Sequence, residues 1–254
     1  MAAAHEPLKG RVSGEEWAQR VDLAACYRLI ASFGWDDLIF THISARVPGT
    51  HDAFLVNPYG LLFDEITASS LVKVNLGGEV ADDARGSINP AGFTIHSAVH
   101  EARPDVDCVV HLHTPSGVAV SAQEHGLRPI TQTALLPCAS LAYHDYEGLA
   151  LNADEKKRLV DDLGDRSFMI LRNHGTLAVG PSIADAFLAI YVLERACEAQ
   201  VLAQSGGGAL REVPRAIVDG IREQAAKVTG GLGGQLAWPA LLRRLDRQDP
   251  SFRH

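Results

Sequence analysis

The sequence predicts an α/β protein in which a mixed or largely antiparallel sheet is flanked by helices. Two patterns lead there. Short apolar or alternating runs are joined by glycine- and proline-bearing turns, as in hairpins. Between them lie longer stretches with apolar residues three and four apart and capping residues at their starts. At 254 residues, 46% hydrophobic and 21% charged, the chain has the length of one large domain or two small ones. We read one domain over 1–254, with a core over about 17–204 and a C-terminal helical extension over about 209–254.

In order along the chain, Ser13 and Glu16 read as a capping box that opens a helix to about Ser32, ended by Gly34. Ile39 to Val47 alternates like a strand and turns at Pro48-Gly49, and Ala53 to Asn57 is a second strand before the turn Pro58-Tyr59-Gly60. Leu71 to Leu76 is a third, with Gly77-Gly78 as a hairpin turn into Glu79-Val80. Pro90 begins a helix to about Glu101, and Pro115 another to about Ala122. Cys108-Val109-Val110 and Phe168 to Leu171 read as buried strands, with Pro137-Cys138 as a turn between them. Asp154 starts a helix that stops near Gly164, and Ser182 caps a long one to about Gln204. That long helix carries apolar residues on more than one face, including Phe187, Leu188, Tyr191 and Val192, which suggests an assembly contact beside the core contact. After Gly206-Gly207-Gly208 the chain reads as amphipathic or loosely ordered: a helix from Glu212 to Val228, a glycine-rich stretch and a basic tail.

A net charge of −8 argues against a nucleic-acid or anionic-membrane surface. No run approaches the ~20 apolar residues of a membrane span, and Met1 to Gly10 lacks an apolar signal core. The cysteines Cys26, Cys108, Cys138 and Cys197 are widely spaced and lie in apolar segments. They read as free thiols in a reducing, cytoplasmic setting, and without C-x-x-C spacing they form no zinc ribbon.

The chemistry-bearing feature is a histidine trio: His111 and His113 in V-V-H-L-H-T, and His174 in R-N-H-G. On a strand, residues i and i+2 point the same way roughly 7 Å apart. His174 follows a second apolar run and stands just before Gly175, where a strand would end. Three neutral imidazoles leave coordination positions open on a divalent ion, the arrangement of a catalytic rather than a closed structural site. The competing reading is three satisfied structural histidines. His96 and His100, four apart on a helix, read as packing beside the site rather than as a second ligand pair.

Five segments carry a family resemblance: F-T-H-I-S-A-R-V (Phe40 to Val47), N-P-Y-G-L-L-F-D-E-I (Asn57 to Ile66), the run from Ile88 to Thr114, A-Y-H-D-Y (Ala142 to Tyr146) and R-N-H-G-T (Arg172 to Thr176). In this order they resemble the class II aldolase/adducin family, and within it bacterial adducin-like proteins and the adducin head. The resemblance implies a three-layer α/β/α fold around a mostly antiparallel sheet. It also implies a homotetramer with active sites between subunits, and a divalent metal, zinc first and manganese or iron(II) next, on His111, His113 and His174.

The departures from the aldolase pattern bear on chemistry. Gly92 stands where the sugar-phosphate aldolases carry a catalytic glutamate, and Gln132 or Thr133 where they carry a catalytic tyrosine. The phosphate-binding positions correspond to Tyr59-Gly60 and Pro90-Ala91, and proline lacks an N–H while alanine lacks a hydroxyl. A small unphosphorylated carbonyl or hydroxy acid is therefore the expected substrate, bound near Tyr59, Gly60 and Gly92. Decarboxylation is the expected cleavage, because loss of carbon dioxide needs no initial proton abstraction. His42 and Tyr143 are candidates to return the proton, and Asn173 is expected to orient the loop of His174. Two other readings stay open: a non-catalytic adducin-like binding or scaffold protein, and a non-haem iron(II) oxygenase on the same three histidines.

Overall fold

The computed structural model describes residues 8–81, 87–148 and 153–254. The N-terminal reading on Met1 to Gly10 therefore falls largely outside the described residues. The helices are α1 Leu8–Arg11, α2 Gly14–Ser32, α3 Pro90–Ala102, α4 Pro115–Ser121, α5 Gln132–Cys138, α6 Ala153–Leu163, α7 Ile183–Ser205, α8 Arg215–Thr229 and α9 Trp238–Gln248. The strands are β1 His42–Arg46, β2 Ala53–Val56, β3 Val72–Asn75, β4 Cys108–Leu112, β5 Leu141–His144, β6 Phe168–Leu171 and β7 Gly175–Gly180.

Among the described residues the strands form one sheet in the order β3-β2-β1-β4-β7-β6-β5. Every pairing is antiparallel except β5 with β6. Side chains alternate between its faces. Cys108, Val110 and Leu112 join a core with Leu23, Ile30, Ile190 and Leu193 of α2 and α7. Val109 joins a second core with Ile95 and Val99 of α3 and Leu159 and Leu163 of α6. The sheet is thus covered on both sides, the expected three-layer α/β/α arrangement. Double cover explains why β1, expected as an alternating strand from Ile39, is shorter and buried at every position. Its polar residues His42, Ser44 and Arg46 face α3 and need partners there.

The caps behave as local chemistry demands. Ser13 accepts from the Glu16 amide and Ser182 from the Asp185 amide. The side chain of Glu16 goes elsewhere, to Arg20 and Lys73, so the expected box is only half closed. Gly77-Gly78 turns as expected, with Val80 bridging back to Val74.

Four readings need correction. The 137–138 region is the end of helix α5, not a turn. Gly175 begins β7 rather than ending a strand, so His174 lies in the hairpin turn between β6 and β7. Part of the apolar surplus on α7 is core: Phe187 is buried, and Tyr191 and Val192 pack on the same core, while Leu188 is half-buried and Leu202 is 72% exposed. Finally, the tail is not loose. Trp238, Leu245 and Phe252 enter the core of α2 and α7, Trp238 Nε1 donates to Asp22 at 3.1 Å, and Ala68 N–H donates to the Phe252 carbonyl at 2.9 Å.

Candidate metal centre

The register of the sheet builds the site. His111 on β4 lies opposite His42 on β1 and Leu177 on β7. His113 follows β4, and the β6–β7 turn brings His174 beside both. Asn173 takes φ 56, a left-handed conformation that asparagine tolerates, and so shapes the turn through its backbone. Gly175 lets the hairpin press close: a Cβ there would collide with the Leu112 carbonyl and sit 3.0 Å from the His113 ring. The three imidazoles form the cluster the sequence predicts, with one nitrogen from each within 4.8 Å of the others.

Two of the outer nitrogens are already committed. His111 Nδ1 donates to the Thr176 carbonyl at 2.9 Å, and His113 Nδ1 donates to Asp37 at 3.1 Å. In neutral rings this leaves both Nε2 atoms as acceptors, and they face each other at 2.9 Å. Two lone pairs at that distance repel unless a cation lies between them. Nitrogens bound at ~2.1 Å to one zinc ion are separated by roughly 3.0–3.4 Å, close to what is found. Burial, reinforced by neighbouring imidazoles, holds His111 well below its ordinary 6.5 and His174 down at about 4. These two rings are thus unprotonated at neutral pH, as metal ligands must be. The residues present fit a divalent ion.

His42 stands beside this cluster, its ring centroid 5.1 Å from that of His111. Its position explains Gly92: a Cβ on Gly92 would lie 2.5 Å from His42 Cδ2 and 2.7 Å from Nε2. The imidazole fills the space that a side chain at 92 would need. Behind it runs a buried line that the sequence reading took for simple packing. His42 Nδ1 meets His96 Nε2 at 2.8 Å, His96 Nδ1 meets the Ser44 hydroxyl, and that hydroxyl meets His100 Nε2 at 2.7 Å. Burial first, and His100 for His96, lowers His42 and His96 well below 6.5. Burial and Arg46 hold His100 at about 3.

The other expected residues are less central. Tyr143 turns to the α7 side of the sheet, where its hydroxyl accepts from the Leu127 amide at 3.1 Å and its ring lies under Arg172. It does not join the histidines as a proton donor. Its neighbours do approach: His144, Asp145, Tyr146 and Arg172 line a cleft with His174. Tyr59 and Gly60 form an exposed turn, with Gly60 at φ 106 and no hydrogen bond from either reaching the histidines among the described residues. At the start of α3, Asn89 Oδ1 already accepts from the amides of Ala91 at 3.0 Å and Gly92 at 3.4 Å. Asp37, Ser44 and Thr176 escaped the sequence reading, because nothing in the spacing of residues 37 and 113 or 176 and 111 links them.

The sequence pattern described as "Class II Aldolase and Adducin N-terminal domain" matches residues 21–201. The chain belongs to the class II aldolase/adducin family. A Pseudomonas aeruginosa protein named after the class 2 aldolases is 59% identical over the whole of both chains. Mouse alpha-adducin is 52% identical over 195 residues, covering 74% of this chain and 26% of the adducin. In structure the chain resembles L-fuculose 1-phosphate aldolase from Glaciozyma antarctica, with TM-score 0.79, 29% identity and coverage of 94% and 93% of the two chains. Among the described residues no helix is long and apolar enough to cross a membrane. The four cysteines are free thiols, three of them buried.

Proposed function

We propose that this protein is a divalent-metal-dependent carbon–carbon lyase acting on a small unphosphorylated carbonyl or hydroxy acid, with decarboxylation as its cleavage. Zinc is the first choice of metal, manganese and iron(II) the alternatives. The observation that carries the reading is the convergence of His111, His113 and His174, with the Nε2 atoms of His111 and His113 2.9 Å apart and their outer nitrogens tied to Thr176 and Asp37. When bound, a divalent cation polarises a carbonyl and stabilises the enolate that cleavage leaves behind.

The chain's own residues supply the rest. Gly92 offers no carboxylate, and the His42 imidazole fills its place. Loss of carbon dioxide suits such a site, since the breaking bond itself supplies the electron pair. One proton must then replace the lost carboxylate, and His42 is the side chain placed to handle it. The first amides of α3 are capped by Asn89, and Pro90 has no N–H, which disfavours a phosphate there. A homotetramer with sites between subunits and a cytoplasmic location belong to the same proposal. In its favour, Leu38 and Phe40 are 62% and 49% exposed beside Asp37, apolar surface at the rim of the centre.

The test is to load the protein with zinc, manganese or iron(II) and assay two panels. Fuculose, ribulose and rhamnulose phosphates form one; keto and hydroxy-aromatic acids form the other. Carbon dioxide release from an unphosphorylated acid is the expected result. Efficient cleavage of a sugar phosphate would overturn it, and silence on both panels with metal bound would shift the reading to the iron(II) oxygenase or the adducin-like binding protein.

A further inference from the structure

Behind the metal centre, on the α7 side of the sheet, lies a carboxyl group that the reaction above does not use. Glu194 is 0% exposed in the middle of α7. One of its oxygens accepts from the Thr114 hydroxyl and the other from the Thr176 hydroxyl. Both threonines belong to the centre's framework. Thr114 directly follows His113, and its hydroxyl also accepts from the Gly117 amide at 2.9 Å. Thr176 presents the carbonyl that holds His111 Nδ1 at 2.9 Å. Gly117 permits the approach: a Cβ there would stand 3.2 Å from Glu194 Oε2 and 2.9 Å from the Thr176 methyl.

A buried carboxyl is costly unless charge and hydrogen bonds compensate it. Among the described residues no lysine, arginine or histidine pairs with Glu194. The one charged neighbour that acts on it, Glu198, is of the same sign. Burial, with Glu198 adding to it, pushes the Glu194 carboxyl up to about 7 despite the two hydroxyl donors. Across β4 and β7 the balance is reversed: the three imidazoles add no negative charge to a divalent ion, and the Asp37 carboxylate behind His113 offsets one of its two positive charges.

We propose that Glu194 is the positioning and charge-balancing residue of the metal centre, tying the strand ends that carry His111 and His113 through Thr176 and Thr114. The proposal rests on the metal reading above. It differs from a packing role in one respect: the carboxylate is needed by the bound ion and is a burden to the metal-free fold. Replacing it should weaken metal binding without weakening the apoprotein.

The experiment measures zinc Kd by competition with a chromophoric chelator, together with the apoprotein Tm, for the full chain and its variants. Glu194→Gln keeps the shape and removes the charge. It is expected to raise Kd by about 10–100-fold, the usual effect of changing a group that holds a metal-binding histidine, with apoprotein Tm equal to or above that of the parent. Thr176→Val and Thr114→Val should weaken zinc as well, while Thr176→Ser and Thr114→Ser restore it. Parental Kd in Glu194→Gln overturns the proposal, as does a lowered Tm with Kd unchanged. Should Glu194→Gln fail to fold, the valine and serine pairs decide by the same criterion. If the parent itself binds no zinc, the metal reading falls; if the parent binds and Glu194→Gln binds equally, only this inference does.

Discussion

His111, His113 and His174 converge one ring nitrogen each on a common point, whereas His42, His96 and His100 run in a line away from it along β1 and α3. In the second group the Ser44 hydroxyl sits between two rings, and each polar contact can pair a donor with an acceptor. The groups touch at His42 and His111 and share the same face of the sheet. The residue type is the same and the wiring is opposite. What differs is the chemistry of the outer partners. A backbone carbonyl and a carboxylate accept from His111 and His113 and so push their lone pairs inward. A hydroxyl, both donor and acceptor, lets the contacts of the other line pair donor with acceptor as far as His100, whose Nδ1 is buried without a hydrogen-bond partner among the described residues. Spacing alone does not identify a metal site; the partners that fix each tautomer do.

The largest expected effect separates the two groups outright. His174→Ala should lose stoichiometric zinc on elemental analysis, because two imidazoles hold a divalent ion weakly against water. His100→Ala should keep it. Retained metal in His174→Ala, or lost metal in a folded His100→Ala, would erase the distinction.

Ser44→Ala strikes the second group at its hydroxyl. It leaves a nitrogen on His96 and one on His100 buried without a partner, at a cost of about 1–3 kcal/mol each. Denaturant unfolding should report a loss of about 2–5 kcal/mol with zinc content unchanged. A near-neutral result would mean that the line does not hold its donors and acceptors as described.

Glu194 gives the pH dependence. Its carboxyl is raised from the ordinary 4.5 to about 7 in the metal-free fold, by burial first. The folded state therefore holds this proton more tightly than the unfolded chain. Stability from this group is complete below pH ~4.5 and is lost as pH rises toward ~7, by about 3 kcal/mol at most. Apoprotein melting across that window should show the decline in the parent and its absence in Glu194→Gln. Parallel pH profiles would sink the assignment.

Gly92→Ala is the subtlest probe. The new methyl meets the His42 ring at 2.5–2.8 Å, so the ring must shift. Overpacking of this kind costs about 1–3 kcal/mol. The zinc Kd should hold while turnover of any substrate falls. Unchanged turnover would remove His42 from the reaction.

Much of the fold was legible because its signals are local. The serine caps of α2 and α7, the prolines that open α3 and α4, and the apolar runs of β4 and β6 each fix conformation within a few residues. β5 and β7 were missed for the opposite reason. Gly175–Gly180 begins and ends in glycine and reads as loop until β4 and β6 pair with it on both sides. The tail read as loose because its few apolar residues, Trp238, Leu245 and Phe252, have meaning only against α2 and α7.

The site divides along the same line. Alternation on a strand put His111 and His113 on one side, and His174, standing after a second apolar run and before Gly175, completed the trio, so residue pattern was enough to name the three side chains that cluster. It equally marked Gly92 as lacking a carboxylate. It took the folded chain to show that His42 fills that gap, that Tyr143 turns to the other face, and that Asp37, Thr176 and Glu194 stand behind the three histidines. The physical reason is range. Pattern and capping act between neighbours in the chain, whereas tautomer, charge balance and burial are set by groups brought together across strands, such as residues 37 and 113 or 114 and 194.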